Sequence, residues 1–290
     1  SIILKKNIGV IGCGNILETY LRSQKYFNNL NFVSCADINV NLAKKTASEY
    51  NLKSQTVNEL LNDEQIDVIL NITIPQAHYE VSKSILQAGK HVFVEKPLCL
   101  RDSELQAIQS AYTSQQASTG TSPLLMVGFN RRFDPNFAAV KAALDAGEVG
   151  KGEMLAVTSY DPAPPPVSYI KVSGGLYRDM MIHDFDMCSF LFGMPVSVMA
   201  HGSCLVDPEI GAAGDVDTAV VVLTYADGRI ATIRNSRRAP YGYDQRVEVL
   251  GSEGTLAAEN EVENTVVKST TAGVQSAKPV YFFLERYMRA

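Results

Sequence analysis

The sequence lacks tryptophan, has only four histidines and shows no dense cluster of basic residues. Its 26 Lys and Arg residues are outnumbered by 31 Asp and Glu residues, which gives a net charge of -5. Because a nucleic-acid-binding surface needs a concentrated positive patch, we predict no nucleic-acid partner. The chain also lacks an apolar run of about 18 residues, so we predict no membrane span.

Cysteine is scarce as well, with five residues scattered along the 290-residue chain: Cys13, Cys35, Cys99, Cys188 and Cys204. An odd number without close pairs is typical of free thiols in a reducing compartment. No signal peptide precedes the first strand pattern, and we expect a cytoplasmic protein. The few histidines and unpaired cysteines do not form an obvious ligand set, so no metal is predicted.

What the first half contains is an alternation of apolar strand patterns and helical patterns, which predicts a parallel sheet covered on both faces. The first strand ends in Gly12-Cys13-Gly14 and leads into a helical pattern, the context of a dinucleotide-binding turn. Gly12 permits the tight turn, and Gly14 lets a pyrophosphate approach the backbone. We expect Asn15 and Ile16 to complete this cofactor-binding turn.

Two later strand ends add to the predicted cofactor site. Asp37 ends the second strand, where a carboxylate accepts the ribose hydroxyls and favours NAD over NADP; a turn aspartate is the alternative. Thr73, Pro75 and His78 follow the third strand and are predicted to line the nicotinamide pocket. For His78, a surface position at a helix N-terminus is the alternative.

A lysine follows the fourth strand, in Glu95-Lys96-Pro97. At the carboxyl edge of a parallel sheet, a lysine fixed by the following proline can point at substrate rather than at solvent. We predict that Glu95 and Lys96 belong to the cofactor site, an ordinary surface lysine being the alternative. The low-complexity stretch Ser114–Ser122 is predicted as a mobile loop before the last strand of this half.

A second chemical pattern lies downstream of Gly174-Gly175. Asp179, His183 and Asp186 stand at i, i+4 and i+7 and would share one stripe of a helix. Their neighbours are largely apolar, so the helix is predicted to be buried, and buried Asp and His are costly unless paired. Three interpretations remain open: core residues that satisfy each other, a carboxylate that orients an imidazole base, or a metal pair.

Strand patterns without helices between them follow this helix, which predicts an antiparallel sheet. They lie at Val196–Gly202, Asp217–Tyr225, Arg229–Ser236, Arg246–Leu250, Gly254–Ala258 and Thr265–Ser269. Ala219–Leu223 is apolar throughout, so we predict that helices cover one face of this strand and a second subunit covers the other. The chain is therefore expected to form a homo-oligomer, a dimer or a tetramer; a self-contained core is the alternative.

Taken in order, Gly12-x-Gly14, Asp37, Glu95-Lys96-Pro97 and Gly174-Gly175-x3-Asp179-x3-His183 resemble the glucose-fructose oxidoreductase/inositol dehydrogenase (Gfo/Idh/MocA) family. The resemblance spans almost the whole chain. It implies an α/β protein whose Rossmann domain with a parallel sheet, residues 1–128, binds NAD. Residues 129–290 would form an α+β domain with a large open, mainly antiparallel sheet, for substrate binding and oligomerisation.

Segments of the second half are similar to the inositol dehydrogenases of this family, among them Val127–Asn136 and Asn235–Arg246. The resemblance implies NAD-dependent oxidation of a cyclic polyol, most directly myo-inositol at a secondary hydroxyl. Arg131, Asp161 and Tyr243 are the expected substrate contacts. In the first half the chain departs from the family pattern at Leu17, where the dinucleotide turn has its third small residue.

For catalysis we assign His183 as general base, Asp179 as the group that orients it and Lys96 as the cation that stabilises the alkoxide. The alternative is that Lys96 itself takes the proton. Three other functions remain open: a dehydrogenase for an aldose or another inositol isomer, a non-catalytic NAD-binding regulator, and a metal-dependent lyase or hydrolase.

Overall fold

The computed structural model describes residues 5–119, 123–280 and 283–289. The chain divides into two compact units, Ser1–Phe129 with Tyr287–Ala290, and Asn130–Arg286. The sequence predicts a division after residue 128 and places Tyr287–Ala290 in the second domain. Within the described ranges, no helix is long and apolar enough to cross a bilayer.

The first unit is built on a six-stranded sheet flanked by helices. Its strands are β1 (Lys6–Ile11), β2 (Leu30–Ala36), β3 (Lys53–Ser54), β4 (Val68–Asn71), β5 (His91–Val94) and β6 (Leu125–Val127). Its helices are α1 (Leu17–Ser23), α2 (Val40–Tyr50), α3 (Val57–Asn62), α4 (Pro75–Gln87) and α5 (Asp102–Thr119). The strands are all parallel in the order β3-β2-β1-β4-β5-β6, so the predicted Rossmann sheet is confirmed.

Local sequence signals account for several helix starts in this unit. The side chain of Asn39 accepts a hydrogen bond from the Leu42 N–H at the start of α2. Thr56 and Glu59 form a reciprocal capping box at the start of α3. Pro75 occupies the first turn of α4, where its missing N–H costs nothing. These starts place each helix directly after the strand end that precedes it.

The loop predicted for Ser114–Ser122 is wrong over most of its length. Residues 114–119 continue α5, and residues 120–122 lie outside the described part of the chain. Serine, threonine and glutamine are neutral or only mildly unfavourable inside a helix, so composition alone does not end one.

The second unit pairs a large sheet with a helical layer. Its helices are α6 (Pro135–Asp145), α7 (Val167–Ser173), α8 (Ile182–Phe192) and α9 (Pro208–Ala212). Its strands are β7 (Gly152–Tyr160), β8 (Ser197–Ser203), β9 (Thr218–Thr224), β10 (Ile230–Ser236), β11 (Asp244–Gly251), β12 (Gly254–Ala258), β13 (Val267–Thr270) and β14 (Gly273–Ser276). The sheet order is β12-β11-β7-β10-β9-β8, with only β7 and β10 parallel, which confirms the mainly antiparallel sheet.

One face of this sheet carries the core of the unit. Val221 and Leu223 of β9 are buried together with Ile233 of β10, and they pack with Met187 and Leu191 of α8. The intervening residues of each strand point to the other face. The strand predicted at Thr265–Ser269 belongs to β13, which pairs with β14 in a separate two-stranded sheet.

The helix predicted to carry Asp179, His183 and Asp186 in one stripe is interrupted. Residues Leu176–Met180 form a π-helical turn closed by the Met181 N–H and the Leu176 carbonyl, and α8 begins only at Ile182. Asp179 therefore lies in the π-helical turn, whereas His183 and Asp186 lie three positions apart in α8. A π-helical turn of this kind has no simple sequence signal.

Candidate active site

The turn after β1 has the geometry that close approach of a ligand requires. Gly12 has φ +108°, and a β-carbon there would lie 2.6 Å from the Ile72 carbonyl oxygen, so only glycine fits. Gly14 is exposed, and a β-carbon on it would meet none of the described atoms within 4 Å. Asn15 is exposed and Ile16 half-buried, just before α1. Leu17 is buried, so the departure from the family pattern fills core space.

Asp37 connects this turn to the end of β2. Its carboxylate accepts the Cys13 N–H at 2.8 Å through Oδ2 and the Asn39 N–H at 2.8 Å through Oδ1. A carboxylate has about four acceptor positions, so the ribose hydroxyls of a dinucleotide still find acceptors there. An open glycine turn beside an anchored acidic residue is an arrangement into which NAD fits.

The segment after β4 is ordered by Asn71 and His78. The Asn71 amide donates to the His78 carbonyl at 2.9 Å, and its oxygen accepts the Thr73 hydroxyl at 2.7 Å. The surface position considered for His78 is wrong, because the residue is 1% exposed. Its Nδ1 lies 2.6 Å from the Pro97 carbonyl oxygen and its Nε2 lies 3.0 Å from the Thr73 carbonyl oxygen. Pro75, half-buried, begins α4.

Glu95 and Lys96 follow β5, and the peptide bond between Lys96 and Pro97 is cis. Glu95 is buried and accepts the Tyr20 hydroxyl at 2.5 Å and the Lys96 N–H at 3.2 Å. Lys96 is half-buried. The lysine therefore does not stand on an ordinary surface loop, since the residues on both sides of it are buried and hydrogen-bonded.

The second unit contains a buried charge network around Asp184, which is 0% exposed. Asp184 pairs with Nη1 of Arg131, accepts the Ser159 hydroxyl at 2.5 Å and accepts the Asn235 amide at 2.8 Å. Burial is the largest single influence and opposes the charge on Arg131, but Asp184, Tyr243 and Asp161 together outweigh it, so the pKa of Arg131 is raised. Tyr243 is itself buried.

A second group of charges surrounds Asp161. Burial raises the pKa of Asp161 to about 6, even though Arg131 and Arg237 oppose this shift, and the carboxylates of Asp179 and Asp184 raise it further. Asp179 accepts the Tyr169 hydroxyl at 2.9 Å and lies 3.7 Å from Nη2 of Arg237, which is 1% exposed. Carboxylates and guanidinium groups in one neighbourhood are the acceptors and donors that a polyhydroxylated ligand needs.

His183 lies in the first turn of α8 and is half-buried. Asp186, placed beside it by the predicted stripe, instead forms a two-point ion pair with Arg132, at 2.8 Å and 2.5 Å. Among the residues that the structure describes, no group of three or more His, Cys, Asp or Glu side chains could hold a metal ion.

Three polar residues of these networks were missed from the sequence: Asp184, Arg237 and Tyr169. Asp184 adjoins His183 in α8, about 100° further round the helix, and lies outside the predicted stripe. Arg237 lies inside Asn235–Arg246, whose similarity to inositol dehydrogenases was the available signal.

Comparison with known proteins covers both units. Residues 6–121 match the oxidoreductase family with an NAD-binding Rossmann fold, and residues 137–257 match the GFO/IDH/MocA C-terminal domain. The chain is 42% identical over 283 residues to the myo-inositol 2-dehydrogenase of Thermotoga maritima, covering 97% of this chain and 83% of that protein. It is 35% identical over 217 residues to the scyllo-inositol 2-dehydrogenase (NAD(+)) of Bacillus subtilis, covering 74% and 62%. The solved structure of a myo-inositol dehydrogenase from Corynebacterium glutamicum superimposes with a TM-score of 0.89 at 34% identity, covering 99% of this chain and 85% of that one.

Proposed function

The chain belongs to the GFO/IDH/MocA family of oxidoreductases, and from this premise we propose that it oxidises myo-inositol with NAD at a secondary hydroxyl. The observation that carries this proposal is the 42% identity to a myo-inositol 2-dehydrogenase over 97% of the chain. The network of buried carboxylates and guanidinium groups in the second unit supports it, because a cyclitol presents only hydroxyl groups for recognition.

NAD is the cofactor, and the first unit is the NAD-binding domain. Gly12, Gly14 and the following Asn15 and Ile16 would hold the pyrophosphate at the open turn, and Asp37 would accept the ribose hydroxyls. Two segments at the ends of β4 and β5 would hold the nicotinamide end of NAD, namely Thr73 to His78 and Glu95 to Lys96. When bound, NAD supplies the acceptor for the hydride.

The side chains of the protein then have to hold the alcohol and move its proton. His183 takes the hydroxyl proton as general base, and Asp179 orients its imidazole. Tyr169 and Arg237 hold the Asp179 carboxylate in turn.

Lys96 stabilises the alkoxide oxygen by its positive charge, or takes the proton itself. Arg131, Asp161 and Tyr243 bind the other hydroxyl groups of the ring.

A second candidate is oxidation of scyllo-inositol, because a relative with 35% identity carries that activity in its name. The deciding experiment follows NADH formation at 340 nm with myo-inositol, scyllo-inositol and glucose as separate substrates. We expect the largest kcat/KM for myo-inositol. A larger value for scyllo-inositol would select the second candidate, and NAD binding in calorimetry without turnover on any polyol would favour a regulator.

The second unit is also proposed to form the contact between subunits of a homo-oligomer. The sheet face opposite the core carries exposed apolar side chains on neighbouring strands, with Met199 at 57% and Val220 at 46%. Met154, Ile230 and Leu250 continue this face across the paired strands. The charged residues Arg234 and Glu248 lie on this face as well. Its several exposed apolar side chains favour cover by a second copy of the chain.

Light scattering after size exclusion tests this contact. We expect at least twice the mass of one chain, and we expect Val220→Lys to lower the mass while Val40→Lys, an exposed valine in the first unit, does not. A monomeric wild-type chain would contradict the proposal.

Within the part of the chain that the structure describes, all five cysteines are free, which supports the proposed cytoplasmic location.

A further inference from the structure

The residues on either side of Lys96 are each fixed by a buried side chain from a helix of the first unit. Tyr20 of α1 holds Glu95, and His78 of α4 holds Pro97. Tyr20 plays no part in the proposed chemistry, and the ring nitrogens of His78 face protein carbonyl groups. Neither side chain takes part in the proposed transfer of the hydride or the proton.

On the Glu95 side, one carboxylate joins two groups. Oε1 accepts the Tyr20 hydroxyl at 2.5 Å, and Oε2 accepts the backbone N–H of Lys96 at 3.2 Å. Burial and the Glu95 charge raise the pKa of Tyr20 well above its usual value, so the phenol stays a donor. Edge-on contacts with Phe93 (centroids 5.7 Å apart) and Tyr287 (5.2 Å) fix the ring itself. The Glu95 carboxylate thus links Tyr20 of α1 to the backbone of Lys96.

On the Pro97 side, the imidazole of His78 lies between two backbone carbonyl groups, and a neutral imidazole can donate to only one of them. Its Nδ1 lies 2.6 Å from the Pro97 carbonyl oxygen and its Nε2 lies 3.0 Å from the Thr73 carbonyl oxygen. The backbone of His78 is held in turn, because Asn71 donates to its carbonyl at 2.9 Å and to Ser82 at 2.9 Å. The ring thus packs between the segment that leaves Lys96 and the end of β4, and its shorter contact is with Pro97.

We propose that Tyr20 and His78 are positioning residues that clamp the two neighbours of Lys96 and so fix the direction of its side chain. The proposal rests on the role assigned to Lys96 in the proposed function. A long, flexible lysine side chain gains direction from a fixed backbone, and misplacement of a catalytic group by about 1 Å costs as much as about 100-fold in rate.

Tyr20→Phe is the sharpest test, because it deletes one hydroxyl and keeps the ring contacts. We expect kcat with myo-inositol to fall about tenfold, while the Kd for NAD, measured by calorimetry, stays within about twofold. The pH profile of kcat should also change. Tyr26→Phe is the matched control, since Tyr26 is 52% exposed, and it should behave as wild type. A second variant, His78→Asn, removes the imidazole that contacts the Pro97 carbonyl group and is measured in the same assays.

A readout without turnover follows the lysine itself. Trace acetylation with acetic anhydride, quantified by peptide mass spectrometry, should give a Lys96 reactivity that differs by about threefold or more between Tyr20→Phe and wild type. The acetylation of Lys45, on α2, should be unchanged and serves as the internal control. In a double-mutant cycle, Tyr20→Phe should have less than about a twofold effect on kcat in a Glu95→Gln background, because the hydroxyl acts through that carboxylate.

The outcomes separate the two proposals. If the wild-type chain oxidises no polyol, the proposed function fails. The acetylation of Lys96 alone then decides whether Tyr20 and His78 position that lysine. If the wild-type chain is active and Tyr20→Phe leaves both kcat and Lys96 reactivity unchanged, the clamp is refuted. A lower kcat with unchanged Lys96 reactivity and an unchanged pH profile would assign Tyr20 a merely structural role and would also overturn it.

Discussion

Replacing Arg131 with methionine is expected to destabilise the second unit, because it removes the cation from the fully buried Asp184 carboxylate. The side chains of Arg131 and Asp184 are 5% and 0% exposed, so water cannot replace the lost partner. Two neutral donors, Ser159 at 2.5 Å and Asn235 at 2.8 Å, would remain on the carboxylate. A buried charge that keeps only neutral donors is poorly compensated.

The magnitude follows from the burial. Removing one partner of a buried ion pair costs about 3–5 kcal/mol, whereas an exposed pair contributes at most about 1 kcal/mol. For a unit of this size, about 1 kcal/mol shifts the melting temperature by about 2–4 °C, so Arg131→Met should lower it by about 6–20 °C. Lys141→Met is the matched control, because its partner Asp145 on α6 is 60% exposed.

Differential scanning calorimetry at pH 7 measures these shifts. Adding Asp184→Asn to Arg131→Met removes the buried charge, keeps an acceptor for the neighbouring donors and should recover most of the lost stability. A loss below about 1 kcal/mol for Arg131→Met, equal to that of Lys141→Met, would refute the reasoning, since Asp184 would then not depend on its cation.

Three further variants test the assigned roles. His183→Ala should lower kcat by about 10²–10⁴ with nearly unchanged NAD affinity in calorimetry, and an equal loss of both would contradict a general base. Asp37→Ala should raise the KM for NAD and relax discrimination against NADP in steady-state assays, whereas an unchanged preference would remove Asp37 from the site. Asp161→Asn should abolish the pH dependence that the Asp161 carboxyl group gives to the free energy of unfolding. Because the folded pKa of about 6 lies above the ordinary value of 3.8, the wild type loses stability as pH rises through about 6. The loss, about 1–3 kcal/mol after allowance for solvent screening, should appear in thermal melts at pH 4 and pH 7, and parallel melts of variant and wild type would contradict it.

Much of the first unit was predictable because its signals are local. A strand, a glycine turn and a helix in succession fix the parallel topology, and Gly12 and Asp37 lie at strand ends that the apolar runs already mark. The order of short motifs along the chain was enough to indicate the family, which comparison then confirmed. The end of α5 was mistaken because polar composition does not by itself stop a helix.

The partners of the polar residues could not be predicted, since they come from distant parts of the chain. Arg131 finds Asp184 across 53 positions and Tyr20 finds Glu95 across 75. The sequence by itself determined which residue types were present and which faces were apolar. Only the tertiary structure decided that Asp184 is the fully buried carboxylate, because its partners Arg131, Ser159 and Asn235 come from distant parts of the chain. Pairing of side chains depends on the folded path of the backbone, and no local spacing encodes that path.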